Sequence, residues 1–259
     1  MGVVTRTILL VSIIAAAYLV AASSAAAQNL NITRDRIQFS DGTQQSTAAT
    51  TTSARTITVS PVIGDVNASG QALLDAIADI AAAADASMPF PYSIILEPGA
   101  YDIQGNSINL PRYVSLRGAG PDVTRIRGNP STGSDPVIRT NGDGVISGMT
   151  IRHRGGGSIT SGRAVIAAGP LMRFEHVIFH VANPFASNAM LIALSTLGGT
   201  DIVLTDCQVD ITASSTNGTV IGILVDTSPS SLTADGLKIN IDPATTPPTN
   251  ALRNWQIYD

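Results

Sequence analysis

In the second half of the chain, apolar residues recur in a degenerate motif of about eight residues. It reads ISGMTIR from Ile146, FEHVIFHV from Phe174, LTDCQVDI from Leu204, ADGLKINI from Ala234 and LRNWQIY from Leu252. Each copy opens on an apolar residue and has further ones three, five and usually seven positions later. The starts lie 28, 30, 30 and 18 residues apart. The last three apolar positions alternate with polar ones, the period of a strand, and the change from three to two puts a bend just before it. Such an interval is the mark of a stacked repeat. A second track runs between the copies: Ala164–Ala167, Met190–Leu194 and Val220–Val225, with Ile166, Ile192 and Ile221 spaced 26 and 29 apart. Each coil therefore offers at least two strands, separated by Gly, Ser, Asn and Pro segments that turn the chain. A β-sandwich gives turn signals every 8–12 residues or so with no 30-residue register. The pattern predicts a parallel β-solenoid.

Upstream, Leu73, Leu74, Ile77 and Ile80 form an apolar helical stripe, with Asp75, Asp79 and Asp85 on the other side. Ser69 is placed to cap this helix, and Pro89 and Pro91 prevent its continuation. A solenoid exposes an apolar end and unpaired strand edges, so a helix just before the first strand is expected to cover them.

The stretch from Ile95 to Gly128, ILEPGAYDIQGNSINLPRYVSLRGAGPDVTRIRG, adds a more specific signature. Pro98-Gly99-Ala100-Tyr101, Gly118-Ala119-Gly120-Pro121-Asp122 and Thr124 resemble the opening of the pectin-lyase-like superfamily of right-handed parallel β-helices. Glycines at 118 and 120 permit backbone angles closed to other residues, and Pro-Asp favours a turn. No helix follows and the spacing differs from a dinucleotide fingerprint, so this is not a phosphate loop. The resemblance covers roughly residues 65–259. It implies an all-β, right-handed parallel β-helix with an N-terminal capping α-helix. It does not choose an activity, because members include pectate and pectin lyases, polygalacturonase-like hydrolases, pectin methylesterases, phage tailspikes and structural surface proteins.

Two further segments complete the organisation. Residues 1–27 read as a secretory signal: Arg6, an apolar core from Ile8 to Ala22, and Ala25-Ala26-Ala27 before Gln28. An uncleaved membrane anchor is the rival reading, and the only route to a membrane. Either way the protein is expected to be secreted or displayed on a bacterial cell surface. Residues 28–64 read as a polar Thr/Ser-rich linker. Within it Ile37, Phe39 and Asp41-Gly42 resemble a segment of tail-fibre-like proteins, where it sits in trimeric stalks, which implies a homotrimer. No capping segment follows Trp255, so either further chain beyond Asp259 or another subunit is expected to cover the last coil.

Composition narrows the chemistry. The formal net charge is −4, and Lys238 is the one lysine. With no basic–aromatic run, nucleic-acid binding has nothing to rest on. Cys207 is alone on an inward position, so it reads as a buried structural thiol rather than a nucleophile or part of a thiolate metal site. No metal or cofactor is implied.

Function must come from outward positions on stacked strands. Aligned motif copies give three columns: Gly148, His176, Asp206, Gly236, Asn254; then Thr150, Ile178, Gln208, Lys238, Gln256; then Arg152, His180, Asp210, Asn240, Tyr258. They bring His176 beside Asp206, His180 beside Asp210, and Arg152 one coil from His180. Arg152, His176, His180, Asp206, Gln208 and Asp210 then form a candidate glycan-binding face. Catalytic templates fit less well. Asp206 and Asp210 lie about 13 Å apart by strand rise, too far for a glycosidase pair. No acidic cluster forms for a calcium-assisted lyase, and of an esterase set only Asp206 and Gln208 are candidates. The leading expectation is a non-catalytic, structural or glycan-contacting rod whose partner is polysaccharide. A polysaccharide-acting lyase, hydrolase or esterase and a tailspike-like trimeric adhesin are the alternatives.

Overall fold

The structure is a computed structural model describing residues 31–33, 36–38, 44–45, 55–83, 91–130, 135–155, 161–183, 190–213, 219–225 and 230–243. The chain divides into two units, Met1–Thr51 and Thr52–Asp259. In the first, β1 (Asn31–Thr33), β2 (Arg36–Gln38) and β3 (Gln44–Gln45) pair antiparallel in that order. The residues read as a secretory signal lie outside those described, as do Trp255 and the last motif copy.

The second unit is the solenoid. It starts with β4 (Arg55–Val59) and α1 (Val66–Ala83). The first coil is β5 (Tyr92–Leu96), β6 (Gly99–Asp102) and β7 (Ile108–Leu110). The next is β8 (Val114–Arg117), β9 (Thr124–Gly128) and β10 (Pro136–Thr140). Two coils follow in which a single long strand covers two sides: β11 (Gly144–His153) with β12 (Ser161–Ala167), then β13 (Leu171–Asn183) with β14 (Met190–Thr196). Then come β15 (Asp201–Thr205), β16 (Gln208–Ala213) and β17 (Thr219–Leu224), and finally β18 (Leu232–Asp235) and β19 (Lys238–Pro243).

Among the described residues every strand pairing in this unit is parallel, as stacked coils require, and the strands fall on three faces. The first face stacks β4, β5, β8, the front of β11 and β13, β15 and β18. The second stacks β6, β9, the back of β11 and β13, β16 and β19. The third is β7, β10, β12, β14 and β17.

Inward columns carry the core. On the first face Ile57, Ile94, Leu116, Ile146, Phe174 and Leu204 are in register; on the second, Tyr101, Ile126, Ile151, Phe179, Val209 and Ile239. Phe174 and Phe179 meet edge to face at 5.3 Å between ring centroids, an arrangement that suits the ring quadrupoles. Val177, Phe179, Cys207 and Val209 are buried as the alternation predicts, whereas Leu237 and Ile239 in the last described coil are only partly covered. On the third face Ile192 pairs with Ile221, but its preceding partner is Arg163, while Ile166 pairs with Ser195. The 26-residue spacing of Ile166 and Ile192 is therefore not a register.

The helix packs against β4, β6 and β7, putting Leu73, Ile77 and Ile80 into the N-terminal end of the core. Its cap is Asp65 rather than Ser69: Asp65 Oδ1 accepts the N–H groups of Asn67 (3.0 Å) and Ala68 (2.9 Å). Ser69 is buried inside the first turn and donates to the Asp65 carbonyl at 2.7 Å. Gly70 faces β6 so closely that a Cβ there would strike the Asp102 carbonyl. β4 lies in the stretch read as a linker, yet it pairs with β5 and extends the first face.

Corners explain the sequence pattern. Between the first and second faces, Gly148, His176, Asp206 and Gly236 occupy equivalent positions with φ of 63°, 52°, 49° and 67°. This left-handed residue is the bend foreseen between the three- and two-residue spacings. In the preceding coil the same corner is a loop from Gly118 to Val123. There Gly120, at φ 147°, supplies the unusual angle. Gly118 supplies room instead: its φ is not in the left-handed region, and a Cβ would strike the Gly148 carbonyl and come within 2.9 Å of Thr124.

Candidate functional site

Two outward columns on the second face match the expected alignment and extend two coils further upstream. One runs Asp102, Arg127, Arg152, His180, Asp210 and Asn240. The other runs Ala100, Arg125, Thr150, Ile178, Gln208 and Lys238. Side chains two apart on a strand lie about 7 Å from one another, and coils stack about 4.8 Å apart, so the columns form a closely spaced grid. The first column is polar throughout, whereas the second is interrupted by Ala100, Ile178 and Thr150, which is buried with its hydroxyl on the Pro121 carbonyl.

The expected pairs are realised only in part. His176 Nε2 and Asp206 Oδ2 lie 3.4 Å apart, at 65 % and 59 % side-chain exposure. They stand on the corner rather than on the sheet face. His180 and Asp210 are in register, yet no bond joins them. Asp210 is held by Gln208, whose Nε2 donates at 2.9 Å to each carboxylate oxygen, and by Asn240 Nδ2 at 2.8 Å. Burial lowers the pKa of His180, with Arg152 the next cause and Asp210 opposing it. The imidazole is thus biased toward its neutral form while Asp210 is engaged by amides.

The expected face is accordingly two groups. His176 and Asp206 sit together on a corner. Arg152, His180, Gln208 and Asp210 share the sheet. Gln208 is committed to Asp210, which sets it apart from an Asp206–Gln208 esterase couple. Among the described residues, no three His, Cys, Asp or Glu come together as a metal-ligand set. Cys207 is buried, its Sγ 3.4 Å from the carbonyls of Phe174 and Thr205, and burial raises its pKa. A protonated, enclosed thiol is a packing group.

The upstream end of the grid is a group of arginines. Asp102, with only 7 % of its side chain exposed, accepts from Arg127 Nε at 2.9 Å and Arg154 Nη1 at 3.0 Å. Its other oxygen accepts the Gln104 N–H at 2.9 Å. Arg152 stacks between Arg127 and His180, and its Nε is buried with no hydrogen-bond partner. Burial and then the charges of Arg125, Arg154 and Arg127 hold its pKa below the ordinary arginine value.

Asp102, Arg125, Arg127 and Arg154 were not among the residues expected here. The Gly118–Val123 loop breaks the motif spacing, so the earlier coils do not align with the later ones. The available signal was the pair Thr-Arg-Ile-Arg-Gly at 124–128 and Ile-Arg-His-Arg-Gly at 151–155. In both, arginines alternate with inward residues and fall on one side of a strand.

Comparison with protein-family models, curated proteins and solved structures finds no match for the chain. Among the described residues no helix is long and apolar enough to cross a membrane.

Proposed function

We propose that the protein is a non-catalytic, exported β-solenoid of the pectin-lyase-like kind whose second face lies against an extended polysaccharide. The observation that carries this reading is the grid itself. Asp102, Arg127, Arg152, His180, Asp210 and Asn240 project from consecutive coils in one registered column, with Gln208 and Lys238 beside its last two members, and Asp210 is fixed by Gln208 and Asn240 across two coils. A regular linear array presents repeated hydrogen-bonding groups to a repeating linear ligand. A carboxylate engaged by amides, with an imidazole beside it whose pKa burial lowers, suits recognition better than proton transfer. Export through residues 1–27 and trimeric association through the tail-fibre-like segment belong to the same reading.

The test is a panel of neutral and acidic polysaccharides, assayed for binding and for release of unsaturated or reducing ends. Binding without release is expected. Replacing both Gln208 and Asp210 by alanine should weaken it at least several-fold, with little change in the thermal transition, because such polar pairs contribute about 1 kcal/mol or less. Release of ends that disappears in Asp206→Ala would overturn the non-catalytic reading in favour of an enzyme.

A further inference from the structure

The arginine group at the upstream end of the second face carries more charge than its surroundings balance. Four guanidiniums, Arg125, Arg127, Arg152 and Arg154, project from two neighbouring coils, β9 and β11 with its following residue. One carboxylate, Asp102, answers two of them, Arg127 and Arg154. Its other oxygen is engaged by the Gln104 N–H, so three donors already hold it in place. Among the described residues no carboxylate or hydrogen-bond acceptor pairs with Arg125 or Arg152. The chain as a whole is acidic, with a formal net charge of −4. Excess positive charge is therefore concentrated where the protein's net charge has the opposite sign.

Arg152 is the telling residue. A buried donor without a partner costs free energy, and a guanidinium beside three others costs more. The fold gains nothing evident from placing it there: the equivalent positions in the next coils are His180, Asp210 and Asn240, so the register does not demand an arginine. Arginine forks match multi-oxygen anions in geometry as well as charge. With one carboxylate already consumed by Arg127 and Arg154, two adjacent unanswered guanidiniums suit a group with three outward oxygens. A sulfate or phosphate ester offers this; a single carboxylate offers two oxygens.

We infer that Arg125 and Arg152, flanked by Arg154 and His180, form an oxyanion site that takes a sulfate or phosphate group carried on the polysaccharide bound along the second face. The identity of the carrier rests on the proposed function; the anion site itself does not.

The experiment measures binding of the full chain to dextran sulfate, unmodified dextran, polygalacturonate, duplex DNA and inorganic sulfate, at several salt concentrations. Wild-type protein should bind dextran sulfate at least tenfold more tightly than dextran or polygalacturonate, and weaken steeply with salt. R152Q and R125Q should each lose tenfold or more of this binding. R152Q should unfold at the same or a higher temperature than wild type, because it removes an unpaired, half-buried charge. A merely structural arginine would instead lower the transition on substitution. The outcomes separate the claims. Inorganic sulfate that binds wild type but not R152Q, while no polymer binds, supports the anion site and removes the polysaccharide reading. Polysaccharide binding that depends on Gln208 and Asp210 but is indifferent to R125Q and R152Q leaves that reading standing and overturns the anion site. Equal affinity for polygalacturonate overturns the sulfate or phosphate assignment, and equal affinity for duplex DNA overturns the glycan as its carrier.

Discussion

His176 and Asp206 stand at equivalent corners of successive coils, both left-handed, with Nε2 and Oδ2 3.4 Å apart. Left-handed backbone costs a residue bearing a Cβ roughly 1–2 kcal/mol. The exposed pair returns little of that. The corner geometry is therefore imposed by the stack, and the pair is a consequence of it. Glycine fills the same corner at 148 and 236 without that strain.

His176→Gly and Asp206→Gly should accordingly be neutral or stabilising, by up to about 1 kcal/mol. Gly148→Ala should cost more, about 2 kcal/mol, because its Cβ would sit 2.6 Å from the Gly118 carbonyl in addition to the strained angle. Urea midpoints of the three variants check this. A strongly destabilised Asp206→Gly would mean the side-chain pair holds the corner.

Helix docking gives a prediction with an inverted sign. Gly→Ala inside a helix ordinarily stabilises by about 1 kcal/mol. At Gly70 it should destabilise by about 1–3 kcal/mol, because the new methyl meets the Asp102 carbonyl on β6. Thermal unfolding of Gly70→Ala measures the sign directly. An unchanged or raised transition would show that α1 is not pressed onto the first coil.

The buried Tyr101 hydroxyl lies 2.9 Å from the carbonyls of Val59 and Glu97, tying β4 to the coil beside it. Burial, with Glu97 nearby, pushes its pKa up to about 12. Tyr101→Phe leaves those carbonyls with one donor fewer and should cost about 1–3 kcal/mol. Phe179→Ala, at the centre of the same inward column, should cost about 3–5 kcal/mol. Comparable losses for the two would indicate that the hydroxyl matters more than its bond geometry suggests.

His153 sets an acid limit. It is buried, its Nδ1 accepts the Gly155 N–H at 3.1 Å, and burial lowers its pKa from 6.5 to about 4. The folded form stays neutral where the unfolded chain takes up a proton. Above pH 6.5 this residue contributes no pH dependence. As pH falls below 6.5 stability should drop by up to roughly 1.4 kcal/mol per unit, reaching about 3 kcal/mol near pH 4 and levelling below it. His180 adds to the same slope in direction. Denaturant titrations across pH 7.5–4 should therefore be flatter for His153→Leu than for wild type, whatever its stability at neutral pH. Parallel profiles would refute the assignment.

The later coils were legible because β11, β13, β15–β16 and β18–β19 turn the first corner with a single residue, so spacing in sequence equals register in space. Alternation alone then placed Val177, Phe179 and Val209 inside and Arg152, His180 and Asp210 outside. The earlier coils were recognised only by their turn chemistry. Their corner is a loop of variable length, which hid the equivalence of Arg125 and Arg127 to Thr150 and Arg152. Side-chain partnership was not legible. That Gln208 reaches Asp210 along its own strand, leaving His180 aside, depends on rotamers that a column of residue names does not contain.

The central claim is that ligand lies on the second face. Arginine modification with phenylglyoxal, read residue by residue by mass spectrometry with and without saturating dextran sulfate, tests it most directly. The account predicts that Arg125 and Arg152 are protected, while Arg117 on the first face and Arg112, paired at the corner with Asp143 at 2.9 Å, react as before. Protection of Arg117 or Arg112 with Arg125 and Arg152 unchanged would place the ligand elsewhere and contradict it.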